Sequence, residues 1–136
     1  MRILFILLIV TLFASCTNKK KEAESMDKRI VLRSDTINTV KLSDTLLIPE
    51  STCRGCAYEN STGFEIADSL GIIELTSIVT TDNNPANMNG GSISKLLILV
   101  PRKTGSTTFK LYKFWSQERT AKDSANARSY SVDVKN

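Results

Sequence analysis

The residues in this chain best equipped for covalent chemistry are Cys53 and Cys56, spaced Cys-x-x-Cys in the run C-R-G-C-A-Y-E-N-S-T-G-F. A thiol–disulfide catalyst sets the first cysteine of such a pair at a helix N-terminus after a strand, where the dipole lowers the thiol pKa. Downstream of Cys56 the chain reads Ala57-Tyr58-Glu59-Asn60-Ser61, with no helical period and no βαβ unit nearby. The pair therefore reads as structural, and redox catalysis as the weakest of three functional readings. Histidine is absent, which removes the commonest general base and the commonest metal ligand together. The third cysteine, Cys16, belongs to the N-terminal segment; the two that remain are too few for a structural zinc site, and the acidic residues are scattered, with no pair singled out by its surroundings. The expectation is a chain with no catalytic residue, no metal and no cofactor, acting by binding rather than as an enzyme.

The elements that must position these residues begin with the N-terminus. Met1-Arg2 gives a minimal positive start, Ile3 to Phe13 is an almost unbroken apolar run, and Ala14-Ser15 precede Cys16. This has the layout of a secretory signal and is too short for a spanning helix. A cysteine directly after the small residues resembles the lipobox of bacterial lipoproteins, with Phe13 where leucine is usual. The resemblance implies cleavage before Cys16 and a diacylglycerol on its sulfur. The expected layout is residues 1–15 as signal peptide, 16–35 as lipidated cysteine and flexible charged tether, and 36–136 as one domain. The expected location is the bacterial cell envelope, lipid-anchored and facing the periplasm or the surface. In an oxidising envelope Cys53 and Cys56 are expected to form a disulfide. So small a ring stabilises by about 2 kcal/mol, and its better use is to pinch the base of the loop that follows.

Of the net charge of +4, one unit is Arg2 and +2 sits at that tether, where Lys19, Lys20, Lys21, Lys28 and Arg29 face Glu22, Glu24 and Asp27. The remainder is near neutral and carries no nucleic-acid footprint. Short apolar runs broken by turn residues follow, read as strands at Thr36–Leu42, Thr45–Ile48, Gly63–Ala67, Gly71–Val79, Ser92–Val100, Ser106–Phe114 and Ser129–Val134. Thr80–Gly91 and Trp115–Ala127 read as long polar loops. Seven short strands without crossover helices predict an all-β, antiparallel sandwich, with a barrel as the competing architecture; a sandwich gathers its loops at the ends.

Three of those loops carry a common pattern. The first holds Asn60-Ser61-Thr62-Gly63-Phe64, the second ends Met88-Asn89-Gly90-Gly91 before a strand, and the third begins Lys113-Phe114-Trp115 after one. In this order the set resembles the chagasin-like inhibitors of papain-family cysteine proteases, whose loops carry N-P-T-T-G followed by an aromatic, then G-x-G-G, then R-P-W. Asn60, Thr62, Gly63 and Phe64 match the first motif, with Ser61 for its proline. Gly90 and Gly91 match the paired glycines of the second, with Met88 for its first glycine. Trp115 matches the third, with Lys113 for Arg and Phe114 for Pro. The resemblance extends over roughly residues 36–136 and implies an immunoglobulin-like sandwich acting as a reversible, occlusive inhibitor of a papain-like cysteine protease, as a monomer. It implies a protease-binding surface of Asn60, Ser61, Thr62, Gly63, Phe64, Asn89, Gly90, Gly91, Lys113, Phe114 and Trp115. Occlusion requires neither nucleophile nor base, in keeping with the missing histidine. The alternative of another class is a non-inhibitory cell-surface binding module on the same fold. Asn60-Ser61-Thr62 also satisfies the N-glycosylation sequon, which a bacterial lipoprotein would not use.

Overall fold

A computed structural model describes residues 28–86, 90–116 and 118–136. The expected signal peptide, Cys16, most of the expected tether, and Met88-Asn89 of the second loop lie outside the described residues. The regular structure is nearly all strand: β1 Arg29–Val31, β2 Ile37–Lys41, β3 Thr45–Cys53, β4 Gly63–Ala67, β5 Ile73–Thr81, β6 Ser92–Pro101, β7 Gly105–Phe114 and β8 Arg128–Lys135, with a short helix α1, Ala121–Ala125, before β8. They form two four-stranded sheets, ordered β1-β3-β6-β5 and β2-β8-β7-β4.

The alternation of the sequence places the core. Leu46 and Ile48 of β3, Leu97 and Leu99 of β6, Phe109 and Leu111 of β7, and Tyr130, Val132 and Val134 of β8 all point between the sheets and are buried. Phe109 and Tyr130, opposite each other on β7 and β8, stack with ring centroids 5.4 Å apart.

The all-β sandwich is as expected, apart from the helix α1, which falls in the stretch Trp115–Ala127 read as a loop, and from three differences among the strands. It has eight strands rather than seven, because β1 lies inside the stretch assigned to the tether; the ordered domain begins before residue 36. Three residues, the first of them charged, give no readable alternation, yet Ile30 packs on the core and the strand runs parallel to β3 in the register Arg29↔Thr45 to Val31↔Leu47. The sheets are mixed rather than wholly antiparallel, since β2 also runs parallel to β8. Third, β3 runs on past Ile48 to Cys53 through Pro49. Because β1 reaches only Leu47, β3 beyond it is an edge on that side, the setting in which a strand tolerates proline.

The two ends of the sandwich differ in their connections. At one end the chain turns at 42–44, 68–72 and 102–104; at the other it runs through 54–62, 82–91 and 115–127. Asp68 shows how the short end is closed. Its carboxylate accepts from the Ile72 and Ile73 N–H groups at 2.7 and 2.8 Å and from the Thr107 hydroxyl at 2.6 Å, tying the β4–β5 turn to β7. Burial opposes its ionisation, but the bonds from Thr107, Ile73, Leu70 and Ile72 outweigh it and hold the carboxyl below its ordinary pKa.

Candidate functional site

The long loops share one end, and the first lies between the other two. It leaves β3 at Cys53, which is disulfide-bonded to Cys56 with Cα atoms 5.9 Å apart. No helix follows; the chain turns at once, and the only helix among the described residues is α1. The dipole that a thiol catalyst needs is therefore missing at this pair. Instead the ring turns Arg54 outward onto the second loop. The Arg54 N–H donates to the Gly91 carbonyl at 3.0 Å, and its guanidinium meets the Asp82 carboxylate at 2.8 Å and the Pro85 carbonyl at 3.2 Å.

Beyond the ring the loop stiffens itself. The Gly55 N–H donates to the Glu59 carboxylate at 2.5 Å. The Tyr58 carbonyl accepts from both the Thr62 N–H at 3.1 Å and the Thr62 hydroxyl at 2.7 Å. A threonine hydroxyl closing a turn on its own backbone is a familiar substitute for rigid residues. The Ser61 hydroxyl donates to the Trp115 carbonyl at 2.7 Å, linking the first loop to the third.

The second loop is set by its glycines. Gly91 has a φ of +102°, and a Cβ there would lie 2.7 Å from the Asn84 side-chain oxygen. Both the conformation and the space demand glycine. Asn84 in turn donates to the Ser92 carbonyl and to the Asp82 carboxylate, each at 2.7 Å.

The third loop starts from the inward row of β7. After Thr107, Phe109 and Leu111, that row ends in Lys113, half-buried between the sheets. Its ammonium donates to the Ser51 carbonyl at 2.5 Å, lies 3.8 Å from the Glu50 carboxylate, and sits 5.0 and 5.9 Å from the ring centres of Trp115 and Phe64. Burial pushes its pKa down from the ordinary lysine value. Glu50, only 7% exposed in its side chain, also pairs with Arg128 of β8. A carboxylate of one sheet thus bridges two cations of the other directly beneath the loops. The return to β8 is held by α1, whose Thr120 and Asp123 cap each other reciprocally, and by Arg119, which lies 4.0 Å over the Tyr112 ring and pairs with Glu65 at 3.3 Å.

Ten of the eleven residues singled out from the sequence divide into two groups; the eleventh, Asn89, lies outside the described residues. Asn60 and Trp115 are exposed at the tip, Ser61 and Thr62 serve as loop ties, and Gly90-Gly91 shape the second loop. Gly63, Phe64, Lys113 and Phe114 play inward or lateral parts. The loop is one threonine shorter than the N-P-T-T-G pattern, and its glycine already belongs to β4, paired with Phe114. A Cβ on Gly63 would fall 2.3 Å from the Phe114 ring, so the missing side chain makes room for that ring. Phe64 packs against the core. Sequence reasoning passed over Tyr58, Glu50, Arg54 and Arg128; only the charged residues closing apolar strand rows could have signalled two of them.

The chain shares the fold of a known protease inhibitor. The crystal structure of the cysteine protease inhibitor EhICP2 from Entamoeba histolytica superposes with a TM-score of 0.54 at 18% identity, covering 79% of this chain and 96% of that one. The solution structure of amebosin follows at a TM-score of 0.48 and 14% identity, over 81% and 97% of the two chains, too distant to add weight. No protein-family model and no curated protein matches the sequence.

Proposed function

We propose that this chain is a reversible, occlusive inhibitor of papain-like cysteine proteases, whose three long loops enter the protease cleft together, and that it acts without catalytic residues, as a lipid-anchored monomer of the bacterial envelope. The observation that carries this reading is the meeting, at one end of the sandwich, of the three segments that resemble inhibitor motifs, cross-tied by Arg54–Gly91 and Ser61–Trp115. The fold shared with a protease inhibitor supports it. Cross-ties matter because ordering a loose loop on binding subtracts from affinity, at about 0.5–1.5 kcal/mol per immobilised side chain. The two prolines absent from the family motifs are thereby replaced, as stiffening devices, by the disulfide and by hydroxyl-to-backbone bonds.

The test is a titration of the purified chain against a panel of papain-like proteases with a fluorogenic peptide substrate. Competitive inhibition is expected, and Trp115→Ala should raise Ki by about 30-fold, the 2 kcal/mol of a buried aromatic anchor. Gly63 is a poor probe, because any side chain there displaces Phe114. Failure to inhibit any member of the panel sinks the reading.

A further inference from the structure

Two large rings stand exposed at the loop end, and only one of them belongs to a recognisable motif. Trp115 is 42% exposed and Tyr58 is 52% exposed. They face each other across the first and third loops, ring centroids 5.8 Å apart at 61°, the edge-to-face arrangement that aromatic pairs favour. Each is held from below. The Tyr58 N–H points at the Cys56 sulfur at 3.3 Å, within the disulfide ring, while its carbonyl takes both bonds from Thr62. Trp115 has its carbonyl fixed by Ser61 and the Lys113 ammonium under its ring.

The charges around the pair are engaged within the protein. Glu59 is bonded to Gly55, Arg54 to Asp82, and Lys113 to Glu50 and Ser51. What the apex offers a partner is therefore apolar, rigid and low in conformational entropy, the properties that concentrate binding energy in a few aromatic residues. Meanwhile Phe64, the aromatic next to the motif glycine, is turned toward the core.

From this geometry we infer that Tyr58 is a second anchor and a specificity-determining residue, filling an apolar subsite of the target cleft beside the one taken by Trp115. The inference rests on the protease-inhibitor reading above. It assigns the disulfide a purpose: Cys53–Cys56 sets the height from which Tyr58 meets Trp115. Proteases whose cleft offers an aromatic-sized apolar subsite are bound tightly, and those with a small or charged subsite weakly.

The test compares Ki values of the purified chain and of Tyr58→Phe, Tyr58→Ala, Trp115→Ala and the double alanine variant on the same protease panel. Tyr58→Ala should raise Ki at least tenfold on the best-inhibited protease while leaving the thermal midpoint within a degree or two. Tyr58→Phe should stay within about threefold of the parent chain. The double variant should lose less than the product of the two single losses, because the rings touch and each removal already costs the other its neighbour. Tyr58→Ala inhibiting every protease as well as the parent overturns this inference and leaves the inhibitor reading standing. An unmutated chain that inhibits none overturns both. A Tyr58→Ala loss that is uniform across the panel overturns the specificity role.

Discussion

The two ends of the sandwich are built from the same strands and use opposite chemistry. Followed inward from the short-turn end, β3 presents Leu46 and Ile48, β7 presents Thr107, bonded to Asp68, and then Phe109 and Leu111, and β8 presents Val134, Val132 and Tyr130, all buried. Followed on toward the long loops, those same rows end in Glu50 and Thr52, in Lys113, and in Arg128. An apolar row seals by excluding water without fixing direction, whereas an ion pair and a hydrogen bond fix direction and yield little net stability. One half of the core therefore holds the fold, and the other holds the loops. Stability and loop geometry should separate under mutation along that line.

The largest effect is expected in the middle of the apolar half. Leu97 is wholly buried, and Leu97→Ala should cost about 2–5 kcal/mol. Urea melts should show the loss at full size, while inhibition by the fraction that remains folded keeps the parental Ki. A Ki that rises with the loss of stability would mean the two halves are mechanically coupled and that the division is wrong.

Next comes Asp68, the closure of the short-turn end. Asp68→Ala leaves the Ile72 and Ile73 N–H groups without their acceptor and should cost about 1–3 kcal/mol at pH 7. The folded carboxyl titrates below its ordinary value. Its stabilising contribution is thus complete above the unfolded pKa of about 4 and is lost as pH falls through the folded one. The deficit of the variant should shrink between pH 5 and pH 2. An equal deficit at both pH values would show that the carboxylate charge is not what holds the turn.

Lys113→Met probes the loop half. Methionine keeps the apolar stem and removes the ammonium from Ser51, Glu50 and the Trp115 ring. Stability should move little, since Arg128 still pairs with Glu50, whereas the lost cation–π contact, about 0.5–1 kcal/mol, should weaken inhibition two- to fivefold. A drop in thermal midpoint with an unchanged Ki would place Lys113 in the structural half instead.

This same boundary marks where the sequence stops being legible. Short apolar and β-branched runs bounded by turn residues announced β2, β4, β5, β6, β7 and β8 within a few residues of their ends, and in β7 and β8 burial of one face also wrote itself into a period of two. It failed where stability comes from partners distant in the chain. β1 is three residues held by β3, and β3 continues past Pro49 because β6 pairs with it as far as Cys53↔Ser92. The helix α1 did carry a local signature, Thr120-x-x-Asp123, which is a capping box. Among the loops, short motifs located the three segments but not the direction of their side chains. The resemblance puts Gly63 and Phe64 in the binding surface, while the pairing of β4 with β7 sets one under Phe114 and the other toward the core. Tyr58 bears no motif, and its importance rests on a ring contact with a residue far along the chain.

The smallest predicted effect has the opposite sign. Thr52 ends the inward row of β3 with a hydroxyl that is buried and has no hydrogen-bond partner among the described residues. Such a group has given up water without recovering a bond. Thr52→Val keeps the shape and the β-branching and removes that debt, so the variant should be as stable as the parent or more stable by up to about 1 kcal/mol. If Thr52 helps to direct the loops, the gain should come with a higher Ki, which is the trade a polar loop half would make against an apolar one. A variant both more stable and equally inhibitory would confine the directing role to Glu50, Lys113 and Arg128, and the polar half of the core would be three side chains rather than four.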